Sequence, residues 1–499
     1  MVSFVVSLVA LVVGYFVYGR IVERIFGPDD RETPAVAKAD GVDFIVLPNW
    51  KVFMIQFLNI AGTGPIFGAI MGAKFGPSAY LWIIFGCIFA GAVHDYFCGM
   101  LSIRHGGVGL PELVGIYLGN ATKKVLLVFS VVLLLLVGTV FVFSPALILG
   151  DLSAPLFTRI TGLPINWVAF WCIAIFVYYF VATMLPIDKI IGRIYPLFAF
   201  SMLFMAAALM VVLFIRWPQL PELSDGLTNL SPSSGHIFPA LFITIACGAI
   251  SGFHATQSPL MARCVKDERQ GRPIFYGAMI TEGIVALIWA TVSMYFFYGG
   301  AAEELGEPLN LQAPQVVTAV NAGWLGTFGG ILAILGVVAA PITSGDTALR
   351  SARLIIAEFI HLEQRTVIKR IYICIPLFAV ALGLLFFNIS NPNGFNIIWS
   401  YFGWANQTLA VFTLWMITVY LVRQRKPFII TLIPAIFMTV VCSTFLVVFD
   451  SAFGADIIIG YGVGGCALIV SIAWFSAWYL KKGRFTDPQL QSDDKENIA

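Results

Sequence analysis

His94 and Asp95 stand side by side in a stretch, 78–102, that otherwise carries no charge, and Glu282 is alone in the same way within 274–299. An ionisable side chain among apolar residues is costly to bury, so its presence points to a use for the charge. The chemistry available is proton uptake and release, with Asp95 as the carboxylate and His94 adjusting its proton affinity. A structural ion pair, or a side chain reaching for the helix end, is the competing reading of that pair. For Glu282 an ion pair with Arg263 or Arg272 is the preferred reading, and proton coupling the alternative. A second chemistry is offered by Ala340-Pro341-Ile342-Thr343-Ser344. One carbonyl and two adjacent hydroxyls are hard oxygen ligands that suit a small cation, although Thr and Ser are also common packing residues in membrane helices. Asp346 and Arg350, four residues apart, fit an intrahelical ion pair. Asn406 and Gln407 read as hydrogen-bonding contacts between helices.

His254 lies in the stretch that must position these groups, Phe238 to Pro259. The run begins as an ordinary apolar helix, then meets Gly248, Ser251 and Gly252, followed by His254, Thr256, Gln257 and Ser258. In lipid every backbone N–H and C=O has to be satisfied internally, so an interruption at membrane depth needs a covering of protein or a water-lined cavity. Packing of small residues against a neighbouring helix would also explain the stretch. The reading as a break beside a water-lined cavity makes Ser251, Gly252, His254 and Gln257 substrate contacts.

Composition places these segments in a bilayer. Of 499 residues 59% are hydrophobic and 11% charged, against roughly 25% charged in soluble domains. Mean hydropathy is +0.90 and net charge +2. No basic patch interleaved with exposed aromatics suggests nucleic acid. The eight cysteines form no CxxC pair and read as small buried apolar residues, not as disulfides or a zinc site. Runs of about 20 apolar residues can span, and thirteen are expected: 2–25, 50–72, 78–102, 123–149, 166–185, 190–215, 237–262, 274–299, 324–358, 367–388, 395–421, 427–449 and 455–480. The first is read as a retained anchor and not a signal peptide. The ninth is too long for one perpendicular span, and a kink at Pro341 is expected. Alternate connections concentrate Lys and Arg on one side, and the other side holds Lys74, Arg159 and Arg216 with Glu303, Glu304 and Glu307. Positive charge marks the cytoplasmic side, so the N-terminus is expected outside and the C-terminus in the cytoplasm of a multi-pass cell (inner) membrane protein.

The helix from Trp50 is interrupted as well, at Ala61-Gly62-Thr63-Gly64-Pro65. On this topology it runs antiparallel to 237–262, with four spans between. Two interrupted helices five positions apart and antiparallel are what a five-plus-five inverted repeat requires, and such pairs point to the binding site of a transporter. The expected fold is therefore an all-α polytopic membrane protein with a LeuT-like core. Its parts are 1–49, an anchor helix and cytoplasmic connection; 50–215 and 216–421, the two repeats; 422–480, two further helices; and 481–499, a polar tail. Gly62, Thr63 and Gly64 join the substrate-contact candidates.

The stretch FPALFITIACGAISGFHA resembles the hallmark segment of the carbon starvation protein family. So do Asp40-Gly41-Val42-Asp43 with Asn49-Trp50, IAGTGPIFG from Ile60, AGAVHDY from Ala90, TSGDTALRSAR from Thr343 and WSYFGWANQTLA from Trp399. The chain is similar to a short form of that family, and has Ile55-Gln56 where larger members carry a histidine pair. The resemblance implies a secondary transporter of the amino acid–polyamine–organocation superfamily, associated with uptake of peptides or pyruvate during carbon limitation. It also implies that Ala340, Thr343 and Ser344 correspond to half of a sodium site, whose other half would be backbone carbonyls near Ala61 and Gly64.

The function expected is cation-coupled uptake, by H+ or Na+, of pyruvate or a short peptide, with half-helix N-termini near Gly62–Gly64 and Ser251–Gly252 holding a carboxylate. His94, Asp95 and Glu282, or the Thr343/Ser344 pair, would carry the coupling. A metabolite channel and a membrane sensor are the alternatives. An enzyme is not expected, because no nucleophile–base or metal-ligand cluster is visible in the sequence. No cofactor beyond the coupling ion is expected.

Overall fold

Both interrupted segments are broken in the structure, and the two breaks lie against each other. The structure is a computed structural model that describes residues 1–39, 44–161, 166–184, 191–232, 235–360, 362, 367–391 and 393–482. The Asp40–Asp43 motif and nearly all of the polar tail lie outside the described residues. In chain order the helices are α1 (Val2–Phe26), α2 (Asn49–Ile60), α3 (Gly64–Ala73), α4 (Ser78–Arg104), the short α5 (Leu110–Leu118), α6 (Asn120–Thr161), α7 (Trp167–Met184) and α8 (Ile191–Arg216). They continue as α9 (Gly252–Ala262), α10 (Glu268–Tyr298), α11 (Ala313–Phe359), α12 (Val367–Ser390), α13 (Gly394–Arg423), α14 (Ile429–Val448) and α15 (Ile457–Lys482). No strand occurs among the described residues.

Among those residues ten helices are long and apolar enough to cross a membrane, eleven if α2 and α3 count as one bent span. Thirteen spans are expected from the sequence; the other two fall on α7, whose apolar run Trp167–Thr183 is shorter, and on the broken segment 237–262. The long helix carries an interruption of its own. Its non-helical residue is Gly326, at φ 64°, and not Pro341. Positive φ costs glycine little, which is why the interruption settles there.

The first break has a local cause. Pro65 has no N–H to give a preceding carbonyl, and it sits in the first turn of α3, where that N–H would be unpaired in any case. The axis turns by 53° between α2 and α3. In the second, a stub formed by Ile237–Leu241 and Phe242–Thr244 ends at Ile245, and α9 starts at Gly252 after an extended Ser251. The freed backbone groups find protein partners, as a lipid setting demands. Trp82 Nε1 donates to Ile245 O at 2.9 Å, and Phe253 N–H donates to Asn406 Oδ1 at 2.7 Å.

Around the breaks, α4 and α10 flank α9 and α3, while α6 and α11 pack along each other and α13 closes against α6 and α9. Helices α14 and α15 add to the outside of α13. Large apolar side chains such as Trp474 and Ile458 on α15 and Phe386 on α12 are exposed, as lipid-facing positions are. Seven cysteines are buried as expected; Cys466, on the exposed face of α15, is not.

The connections meet in two groups. At one end Lys38 Nζ reaches Gly106 O, Ile45 N–H reaches Arg263 O, and Arg104 pairs with buried Glu268 at 3.1 Å. Lys426 joins them through Phe26 O. Arg31 lies beside Asp29 there and holds that carboxyl well below the usual carboxylate range. At the other end the amino terminus pairs with Glu222, Arg216 with Glu304 at 2.5 Å, and Tyr298 with Lys74 O at 2.7 Å. These groups match the basic and the sparse sides of the alternation read from the sequence.

Candidate functional site

Four buried ionisable side chains form one chain of contacts at the second break. Helix α4 brings His94 and Asp95, α9 brings His254 from its first turn, and α10 brings Glu282. His94 Nδ1 lies 2.7 Å from Asp95 Oδ1, and His254 Nδ1 lies 2.8 Å from Asp95 Oδ2. The other imidazole nitrogen of His254 is 3.4 Å from Glu282 Oε2. None of the four has any solvent exposure. A carboxylate taking one hydrogen bond on each oxygen is fixed in plane, and it fixes both rings in turn. The arrangement can pass a proton along His94, Asp95, His254 and Glu282, because each neighbour is at or near hydrogen-bond distance.

Glu282 is not the partner of Arg263 or Arg272, the pairing preferred from the sequence. Arg272 Nε pairs with Glu23 at 2.8 Å, and Arg263 Nε donates to Gly107 O at 2.8 Å. Both arginines sit at the basic end of the bundle, whereas Glu282 is buried about four turns along α10. Asp346 and Arg350 do lie together, at 3.5 Å on α11, with Arg350 also donating to Ala182 O at 2.6 Å.

The expected substrate contacts are gathered where the two breaks touch. A Cβ added to Gly64 would stand 2.3 Å from Cys247 Sγ, and one on Gly62 would stand 3.5 Å from Ser344 Oγ. Ser251 Oγ donates to Asn406 Oδ1 at 3.1 Å. The N-terminal turn of α9 is thus already partly satisfied by a side chain of α13. Gly252 rests on the backbone of α13, within 2.4 Å of Asn406 O for an added Cβ. Thr63 Oγ1 and Gln257 Oε1 are buried and without partners. Gln407 Nε2 donates to Phe242 O at 3.0 Å, so both Asn406 and Gln407 join helices as expected.

Of the residues expected to hold sodium, Ser344 reaches across to α2, donating to Leu58 O at 3.3 Å. Thr343 Oγ1 donates within its own helix to Ala340 O at 2.8 Å. Ala61 is buried at the end of α2.

Two residues at this site escaped the sequence reading. Gln56 Nε2 donates to Ser258 Oγ at 3.3 Å, and Ser258 Oγ donates to His254 O at 3.0 Å, which links α2 to α9. Cys247 lies with His254 and Glu282 so that one ligand atom of each is within 4.8 Å of the others. Its place inside the interruption, seven residues before His254, was the available signal. Two cavities, of about 440 and 380 Å3, open elsewhere, between α4 and α14 and between α1, α2 and α10. Neither is lined by a residue of the cluster.

Residues 1–169, 161–323 and 307–445 match the family described as "Carbon starvation protein CstA". The chain belongs to the carbon starvation protein CstA family. An uncharacterized membrane protein of Haemophilus influenzae is 46% identical over 60% of this chain and 91% of its own length. The peptide transporter CstA of Escherichia coli is 26% identical, over 85% of this chain and 77% of its own. That of Mycobacterium tuberculosis is 29% identical over 56% of this chain, which spans only 44% of the relative. Among solved structures, the manganese transporter of Eremococcus coleocola aligns with a TM-score of 0.56 at 12% identity, covering 87% of this chain and 97% of that one. At that identity the likeness concerns the fold. With CstA-family membership and its multi-pass helices, the chain is a membrane transporter.

Proposed function

We propose that this CstA-family member is a proton-coupled importer of short peptides or of a small carboxylate such as pyruvate. The carrying observation is Asp95, which binds His94 on its own helix and His254 on the broken helix. A buried carboxylate shared by two imidazoles stores a proton at the element that a transporter of this kind moves. Glu282, next in the chain, extends the path toward α10. The names of the curated relatives favour peptides as cargo. Cargo carboxylates would meet the start of α3, and would reach α9 by displacing the Asn406 cap.

The five-plus-five repeat is supported by the packing. Exchanging α2/α3 with 237–262, α4 with α10, α6 with α11, α7 with α12 and α8 with α13 maps one set of neighbours on the other. Helix α3 lies on α10 as α9 lies on α4, α2 on α8 as the stub Phe242–Thr244 on α13, α6 on α13 as α11 on α8, and α7 on α6 as α12 on α11. Access would then alternate by one helix set rocking against the other around the breaks. The cytoplasm would face the basic end of the bundle, leaving the N-terminus outside. The bond from Ser344 to Leu58 O favours a second reading, in which sodium sits between α2 and α11 and supplies the coupling.

Uptake of labelled dipeptide and labelled pyruvate into proteoliposomes, with imposed proton and sodium gradients in turn, tests the proposal. Saturable accumulation under a proton gradient is expected. Accumulation driven by sodium alone favours the second reading, and downhill, non-saturating flux defeats both.

A further inference from the structure

A proton relay needs His94, Asp95, His254 and Glu282, but it has no use for Cys247. That thiol stands at the end of the relay, and with His254 and Glu282 it makes a set of three different ligands, one atom of each within 4.8 Å of the others. All three side chains are buried. We propose that Cys247, His254 and Glu282 form a binding site for a borderline transition-metal dication of the zinc or cobalt class.

Three observations carry this. The first is spacing. In a tetrahedral zinc site with bonds of about 2.0–2.3 Å, ligand atoms stand about 3.3–3.8 Å apart, and His254 Nε2 lies 3.4 Å from Glu282 Oε2. The second is what these atoms lack. His254 Nε2 and both carboxylate oxygens of Glu282 are buried and make no hydrogen bond of good geometry, the nitrogen facing Oε2 at 3.4 Å, a costly condition that a shared cation would relieve. The third is the surrounding shell. His254 turns Nδ1 to Asp95 Oδ2 at 2.8 Å, which leaves Nε2 as the nitrogen facing the other two ligands. Carboxylate–histidine–metal triads are built in this way, the carboxylate orienting the ring and raising its basicity. His94 steadies Asp95 from the other side. The sulfur of Cys247 is itself approached by Asn406 Nδ2 at 3.6 Å, a donor that would stabilise the thiolate.

The ligand types select the metal. Thiolate, imidazole and carboxylate together suit zinc or cobalt, whereas calcium and magnesium take oxygen donors. Three protein ligands leave a fourth position free, as in exchangeable sites and unlike closed structural ones. Metal binding to Cys247 would replace the thiol proton, which leaves to solvent. A bound dication would occupy the end of the proton path and hold α9 to α10.

Cobalt titration of the full-length protein in detergent, in a Cys466→Ser background that removes the exposed thiol, tests the site. One equivalent is expected to give four-coordinate visible bands and a near-ultraviolet thiolate-to-cobalt band. Cys247→Ser should abolish the thiolate band. Glu282→Gln should weaken binding at least about tenfold, and Asp95→Asn about 10–100-fold through the ring it orients. Zinc-edge absorption of the zinc-loaded protein gives a readout that needs no substitution at the site, with one sulfur at about 2.3 Å expected among nitrogen and oxygen at about 2.0–2.2 Å. A thiolate band that survives Cys247→Ser, or a zinc shell without sulfur, overturns the proposal. Because the readouts use solubilised protein, their failure leaves the transport reading standing, and failed transport leaves the metal site standing.

Discussion

His254 Nδ1 and Asp95 Oδ2 lie 2.8 Å apart, although 159 residues separate them in the chain. The bond ties the first turn of a half-helix to an unbroken neighbour. Since Asp95 also holds His94, one carboxylate controls the orientation of two imidazoles.

Replacement of Asp95 separates its electrical role from its structural one. Asp95→Ala should destabilise the protein by about 3–5 kcal/mol, because two buried rings lose their shared acceptor. Asp95→Asn keeps the volume and should fold, yet proton-driven accumulation should be lost while exchange of cargo persists. Thermal unfolding in detergent and gradient-driven uptake measure the two effects. Intact proton-driven accumulation in Asp95→Asn would show that the carboxylate is structural.

Asn406 is expected to matter through the backbone it caps. Asn406→Ala strands the Phe253 N–H and the Ser251 hydroxyl and should cost about 1–3 kcal/mol. Asn406→Asp, which keeps the acceptor for both donors, should retain more α9 protection in amide hydrogen exchange than Asn406→Ala. Equal exchange in the two variants would count against the cap.

Two glycine replacements should differ in sign. A Cβ at Gly252 meets Asn406 O and Ala410 N at 2.4 Å, and backbone atoms cannot rotate away. Gly252→Ala should therefore lower stability by about 1–3 kcal/mol or more. At Gly383, on α12, an added Cβ has open space. Gly383→Ala should raise stability by up to about 1 kcal/mol through helix propensity alone. Melting temperatures that move in the same direction would refute the close-approach argument.

At the basic end, Lys426 should give stability a pH dependence. Burial, then the Arg104 and Arg31 charges, lower its pKa to about 8 from the ordinary 10.5. Below about pH 8 both folded and unfolded chains keep the proton, and the native state bears the whole cost of the buried ammonium. Between about 8 and 10.5 the folded chain sheds it first, so this contribution to stability rises with pH. In Lys426→Met that rise should vanish. The difference in melting temperature between the two proteins, followed across this window, is the measurement, and a flat difference would argue against the assignment.

The residue pattern alone determined which segments are helical and which of them break. Apolar run length, Gly62–Pro65 and Gly248–Gly252 act within a few residues of themselves, so their consequences are readable locally. Lys and Arg alternation ordered the connections for the same reason, since each charge reports only on its own loop. Partner choice is different, because contacts between helices depend on rotation and depth that no local pattern encodes. Glu282 could pair equally well, on the sequence, with Arg263 or Arg272; only packing turns it toward His254. Cys247 looked like one more small apolar residue until the second break, folded against α10, set it beside an imidazole and a carboxylate.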